Sequence, residues 1–266
     1  PRRISISRMK KLHSTTKDLG YLAYRWLNPL CDPLRMLRAF PGYLGFFHDW
    51  FRYVRMEGAE PLKIIDSYPR IHEKTATTDF DPHYFYQSVW AFKKIVDSHV
   101  NEHVDVGSQI DLVGFLSAIC AVTFFDIRPL KAYIEHLHPR KGTILSLPLA
   151  NNTVGSLSCL HVAEHIGLGR YGDPLDPAGT KKACRELARV LARHGNLYFS
   201  TPVGRPRVCF NAHRIHSPQQ ILEYFHDLNL KELSCVDDHG RFRKHVEQTT
   251  LEQSDHACGL FHFTKQ

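Results

Sequence analysis

Between residues 103 and 201 the chain alternates short apolar runs with amphipathic stretches, and this alternation limits the fold more than any other feature. "HVDV" (103–106) reads as a first strand and "LVGFLSAIC" (112–120) as a helix. "VTFFDI" (122–127), "GTILSL" (142–147) and "GSLSCL" (155–160) read as three more strands. Residues 180–193 place Ala183, Leu187, Val190 and Leu191 on one helical face, and "NLYFST" (196–201) is a fifth strand. Strands separated by helices close into a parallel sheet covered on both faces. "LKELSCV" (230–236) and "CGLFHFT" (258–264) follow, with no helical pattern evident between them. They predict an antiparallel hairpin at the sheet edge. The expectation is an α/β fold: a Rossmann-like, doubly wound, mostly parallel sheet of seven strands.

Two helix starts are written in the capping residues. Asp81 precedes Pro82, an N-cap followed by proline at the first helical position, and an apolar stripe runs through Phe85, Val89, Phe92 and Val96. Ser217-Pro218-Gln219-Gln220 is a capping box that opens a helix to about Leu228. Upstream of residue 79 the character changes. Residues 1–60 hold 11 Lys/Arg against 5 Asp/Glu, whereas the rest of the chain holds 23 against 22. The division is a basic, aromatic-rich, mainly helical N-terminal extension (1–78) and an α/β domain (79–266).

"PRRISISRMKK" at the start reads as a solvated arm. The aromatic and arginine-rich segments "GYLAYRWLNPL" and "FPGYLGFFHDWFRYVR" suit packing on a domain, or weak contact with a membrane surface. Pro29, Pro33 and Pro41 predict that no long amphipathic helix forms there. The basic balance stops at the extension, so nucleic acid is not an expected partner. Seven dispersed cysteines without a C-x-x-C pair suit free thiols in a reducing compartment such as the cytoplasm. No apolar run approaches the roughly 18–20 residues of a membrane span.

In open α/β sheets, ligands bind beyond the carboxyl ends of the strands. After the first strand come Asp105, Gly107, Ser108, Gln109 and Asp111. Gly107 permits a tight turn with close backbone approach to a ligand, and Asp111 suits the N-cap of the next helix. Asp126 ends the second strand, where a carboxylate can accept from a ribose diol. After the fourth strand, His161, Glu164 and His165 spell H-x-x-E-H, one signature of zinc peptidases. That chemistry needs both histidines on a sustained helix. Here they follow a strand, and Gly167 and Gly169 interrupt any helix within a turn. No metal-ligand spacing supports an ion, including His213 and His216.

The turn after the first strand resembles the first motif of class I S-adenosylmethionine-dependent methyltransferases, with Gln109 and Asp111 in place of two glycines. "GTILSLPLANNTVGSLSCLHVAEHI" resembles a further stretch of those enzymes through Gly142, Leu147, Pro148, Glu164, His165 and Ile166, with Thr143 in place of an aspartate. Residues 167–179 and 202–216 are similar to the methyltransferase-like domain family known as "Caenorhabditis protein of unknown function". The resemblance covers roughly residues 80–266.

It implies S-adenosylmethionine as cofactor, held by Asp105, Gly107, Ser108, Asp126, Leu147 and His161. The expected reaction is O-methylation of a small-molecule or glycan hydroxyl, with His165 as base oriented by Glu164 and His213 as a second candidate. Arg170, Tyr171, Asp173, Asn211 and Arg214, on the loops after the fourth and fifth strands, are the expected acceptor contacts. The other expectation is a catalytically inactive binding protein that keeps the methyltransferase fold.

Overall fold

A computed structural model of the chain describes residues 33–128 and 130–266. The basic arm and the segment around Pro29 lie outside the described residues. The chain divides at Asp79/Phe80 into two compact units.

In the first unit, α1 (Pro33–Tyr53) is one helix of 21 residues. The expectation that prolines forbid a long helix here is corrected. Pro33 occupies the first helical position, where its missing N–H costs nothing. Pro41 removes one backbone bond, but the helix continues through it. Leu37, Phe40, Leu44, Phe47 and Phe51 recur at alternating spacings of three and four and are exposed along α1. No helix among the described residues is long and apolar enough to cross a membrane.

The second unit opens with α2 (Pro82–Asp97), whose first turn is fixed by Asp81 accepting from the N–H groups of His83 and Tyr84. Then follow β1 (Glu102–Val106), α3 (Ile110–Leu116), β2 (Ala121–Asp126), β3 (Leu137–Lys141), β4 (Val154–Leu160), α4 (Gly179–Val190) and β5 (Leu191–Val203). A hairpin of β6 (Arg207–Cys209) and β7 (His213–Ile215) precedes α5 (Pro218–Tyr224). The chain ends with β8 (Asn229–Val236), β9 (Phe242–Arg243), α6 (Gln248–Glu252) and β10 (Ala257–Thr264). The main sheet has eight strands in the order β3-β2-β1-β4-β5-β10-β8-β9. Its first five are parallel. β10 is antiparallel to both β5 and β8.

Alternation along the strands builds two cores. Leu197 and Phe199 of β5 face one side, with Leu187 of α4 and Ile221 of α5. Tyr198, between them, faces the other side with Trp90 and Ile95 of α2 and Leu116 of α3. Each fully buried side chain of this size contributes roughly 1.5–3 kcal/mol.

Three expectations are corrected. The third strand is Leu137–Lys141, not 142–147. β3 is an edge strand, so it tolerates Pro139 and exposed side chains and carries little apolar signal. The 142–147 segment is instead a turn that drives Ile144 and Leu147 into the core. The last two strands do not form the sheet edge: β10 inserts between β5 and β8, and the two-residue β9 is the edge. It is also the strand beyond the seven expected. The cap of α3 is Gln109, with no side-chain bond, and Asp111 lies in the first turn.

Candidate functional site

The turn after β1 is built from polar groups that satisfy one another. His103 Nδ1 and Nε2 lie 2.8 Å from the Ser156 and Ser158 hydroxyls. The Ser158 hydroxyl donates to Asp105, so it accepts from Nε2–H, and Nδ1 accepts from Ser156. The other Asp105 oxygen accepts from the Ser108 N–H at 3.0 Å. Ser108 Oγ in turn accepts from the Leu160 N–H at 3.0 Å, tying the turn to the end of β4. Burial pushes Asp105 up to about 6 against these hydrogen bonds. Asp105 and Ser108 are therefore structural braces whose side chains do not reach the cleft. Leu147 is also elsewhere: it is packed in the core, with its N–H bonded to Glu186.

What does face the cleft is Gly107. It has φ of +71° and its N–H donates to the Phe125 carbonyl at 2.9 Å. A Cβ there would sit 3.1 Å from Val162. Gly107, Asp126, His161, His165 and Tyr171 line one cleft beyond the ends of β1, β2 and β4. Asp126 accepts from the Arg128 N–H at 2.6 Å. The Arg128 guanidinium lies 4.5 Å over the Tyr171 ring, which closes the cleft's outer wall.

The H-x-x-E-H string is not on a sustained helix. His161 has φ of +55°, and a single 3₁₀ turn, Ala163–His165, follows. Residues other than glycine adopt that left-handed backbone at a cost of order 1–3 kcal/mol, and such strain gathers at functional sites. The turn drives Glu164 inward until it is fully buried. Its Oε1 lies 3.1 Å from His161 Nδ1 and 3.7 Å from His165 Nε2. Apart from these two contacts, neither carboxylate oxygen has a hydrogen-bond partner among the described residues. Burial alone would raise Glu164, but the adjacent His161 prevails and holds it low. Burial likewise opposes a charge on His161, but Cys258 and Glu164 raise it. Glu164 thus pairs with His161, and its 3.7 Å approach to His165, the residue it was expected to orient, is not an ion pair while that ring is neutral.

His165 donates from Nδ1 to the Ala212 carbonyl at 2.6 Å, which leaves Nε2 as the acceptor. Burial lowers its pKa. His213 has its ring 6.5 Å from that of His165, and burial, then His256, lowers it to about 4. Both imidazoles are neutral near pH 7.

The expected acceptor contacts divide. Arg170 reaches the Ala212 carbonyl at 3.1 Å, and Tyr171 packs edge-on to His165 at 5.8 Å. These two lie beside the histidines. Asp173 is spent on its own loop, accepting from the Gly167 and Tyr171 N–H groups. Arg214 is buried and donates to the Ile166 and Asp176 carbonyls, bracing the loop instead of meeting a ligand. Asn211 is exposed at the tip of the β6–β7 hairpin.

Three site residues were not predicted. His83 of α2, His256 and Cys258 of β10 converge on His161. His161 Nε2 lies 3.2 Å from Cys258 Sγ. His83 stacks on His256 with centroids 5.1 Å apart and lies 5.6 Å from His161. Burial, with His161 and His256 adding to it, lowers His83 to about 4. Local sequence carries no signal for this cluster, because it exists only once β10 inserts beside β5.

Residues 151–250 match a family model described as "Caenorhabditis protein of unknown function, DUF268". No curated protein matches the chain. Among solved structures, the [4+2]-cyclase SpnF is similar over 73% of this chain and 85% of its own, with 12% identity and a TM-score of 0.52. A Galdieria sulphuraria protein assigned as a sarcosine dimethylglycine methyltransferase is similar over 68% of this chain and 86% of its own, with 11% identity and a TM-score of 0.50. The N-methyltransferase NodS of Bradyrhizobium japonicum WM9, solved with S-adenosyl-l-homocysteine, gives 16% identity, 70% and 89% coverage and a TM-score of 0.49. At such identities the shared property is the fold, and a cyclase and a methyltransferase both align on it. Residues 151–250 are thus similar to the DUF268 family, and the chain has the Rossmann-like fold of class I S-adenosylmethionine-dependent methyltransferases.

Proposed function

We propose that the protein is an S-adenosylmethionine-dependent methyltransferase acting on a hydroxyl of a small molecule or glycan. The observation that carries this reading is one cleft that joins Gly107 and Asp126 to the His161–Glu164–His165 turn. Gly107 lets backbone approach the cofactor, and the Asp126 carboxylate suits its ribose diol. When bound, S-adenosylmethionine supplies an electrophilic methyl group. The protein's part is to orient the acceptor and remove its proton. His165 is suited to removing the proton, because its Nδ1–H is held by Ala212 and the neutral Nε2 is left to accept. Arg170 and Tyr171, beside it, suit a polyhydroxyl acceptor. The glycan part rests on the resemblance of residues 167–179 and 202–216.

A second reading, a catalytically inactive methyltransferase-fold binding protein, is favoured by the size of the cleft. Its volume is about 80 Å³, against roughly 300–1,000 Å³ for small-molecule sites. That is less room than a nucleoside-sized ligand fills. The two readings separate in a transfer assay with methyl-labelled S-adenosylmethionine and a panel of saccharides and phenols. The first predicts labelled product, with His165→Ala slower by about 10²–10⁴-fold. Its pH profile falls on the acid side as His165 protonates. Cofactor binding without transfer to any acceptor favours the second.

A further inference from the structure

Among the described residues, one trio offers three metal-ligand atoms within 4.8 Å of one another: His83, His161 and Cys258. Metal–nitrogen distances near 2.0–2.1 Å and a metal–sulfur distance near 2.3 Å place neighbouring donors of a tetrahedral site roughly 3.3–3.6 Å apart. His161 Nε2 and Cys258 Sγ, at 3.2 Å, are already close to that spacing. The His83 ligand atom lies within 4.8 Å of both.

Each ligand stands on fixed backbone. His83 is in the capped first turn of α2. Cys258 lies in the middle of three strands, opposite Pro202 and Val236. The His161 N–H is bonded to the Ser200 carbonyl at 3.0 Å. The ring of His256, stacked on His83, limits how far His83 can turn.

The carboxylate behind the trio is the second observation. Histidines that bind metals usually donate their other ring N–H to a carboxylate, which fixes the tautomer and aims the free nitrogen at the ion. Glu164 stands in that position. It is fully buried, lies 3.1 Å from His161 Nδ1, and has no hydrogen-bond partner beyond its histidine contacts. Nε2 then points at Cys258.

We propose that His83, His161 and Cys258 bind a zinc-class divalent cation, with Glu164 positioning His161 and a fourth coordination place left for water or an acceptor oxygen. Two imidazoles and a thiolate are the donor set that borderline ions of this class select. Binding replaces the one proton shared between His161 Nε2 and Cys258 Sγ, so each ion releases one proton to solvent. His161 also lines the cleft of the methyltransferase reading, but metal binding by the trio needs neither cofactor nor turnover, so the two can fail separately.

The test is titration of chelator-treated full-length protein with cobalt(II), followed by absorbance and by proton release. The expected result is one ion per chain, tetrahedral visible bands and a thiolate-to-cobalt charge-transfer band. Cys258→Ser removes that band, and Cys209→Ser keeps it. Glu164→Gln weakens affinity about 10–100-fold, and His83→Ala weakens it at least as much. If Cys258→Ser fails to fold, His83→Ala, on the first turn of a helix, gives the same reading. Cobalt binding without the charge-transfer band, or with affinity unchanged in His83→Ala, overturns the proposal. So does no binding at all.

Discussion

Asp105 stands one residue before the end of β1 and Glu164 follows β4, the strand beside it, and neither carboxylate is exposed to solvent. The fold treats them in opposite ways. Asp105 is held by neutral donors, the Ser108 N–H and the Ser158 hydroxyl, and burial raises its pKa to about 6. Glu164 has no neutral donor and faces two imidazoles, and its pKa falls despite burial. A buried charge persists only when something pairs with it. The turn after β1 has spent its polar groups on its own shape. The turn after β4 keeps a carboxylate held ionised by His161, with few other hydrogen bonds.

The largest effect should come from removing the partner of Glu164. His161→Ala leaves a buried carboxylate without its main counter-charge, and breaking such pairs costs about 3–5 kcal/mol. Denaturant unfolding measures the loss, and adding Glu164→Gln should recover most of it. If His161→Ala is nearly neutral, the ionised character of this turn is wrong.

Asp105 should respond in the opposite sense. Its folded pKa lies above the ordinary 3.8, so the folded state holds more protons than the unfolded state between about pH 4 and 6. The charged carboxylate therefore costs stability as pH rises through that window. Asp105→Asn should stabilise the protein at pH 7, by up to about 3 kcal/mol for a carboxyl pushed up to about 6. The gain should fade as pH is lowered toward 4, as melting temperature across pH would show. A loss of stability at pH 7 would mean that Asp105 is more than a brace.

Gly107→Ala is the smallest of the three. Its positive φ costs a side chain about 1–2 kcal/mol, and Val162 must also give way. Calorimetry should show that modest loss, together with weaker cofactor binding because the turn can no longer approach a ligand closely.

The sheet was legible wherever a strand is covered on both faces. β1, β2, β4 and β5 announce themselves by apolar runs, and the capped starts of α2 and α5 by Asp81 and Ser217. Edge elements were not: β3 carries His138, Pro139 and Arg140, and the β6–β7 hairpin is short and polar. The site followed the same division. His161, Glu164, His165 and Asp126 could be singled out because they stand at or after the carboxyl ends of parallel strands, where ligands of such sheets meet. Cys258 lies 97 residues from His161 and arrives only through the insertion of β10. Asp105, Ser108 and Arg214, expected at the site, are hydrogen-bonded within the protein: a motif gives position, while hydrogen-bond partners decide whether a side chain is free.

Everything proposed for the reaction depends on the cleft at Gly107 and Asp126 binding S-adenosylmethionine. Calorimetric titration of the purified protein with S-adenosylhomocysteine, beside Asp126→Ala, tests this without needing an acceptor. The expected result is saturable binding of one ligand per chain, weakened at least about tenfold, or 1.4 kcal/mol, in the variant. No binding at millimolar ligand, or equal affinity in Asp126→Ala, would contradict it.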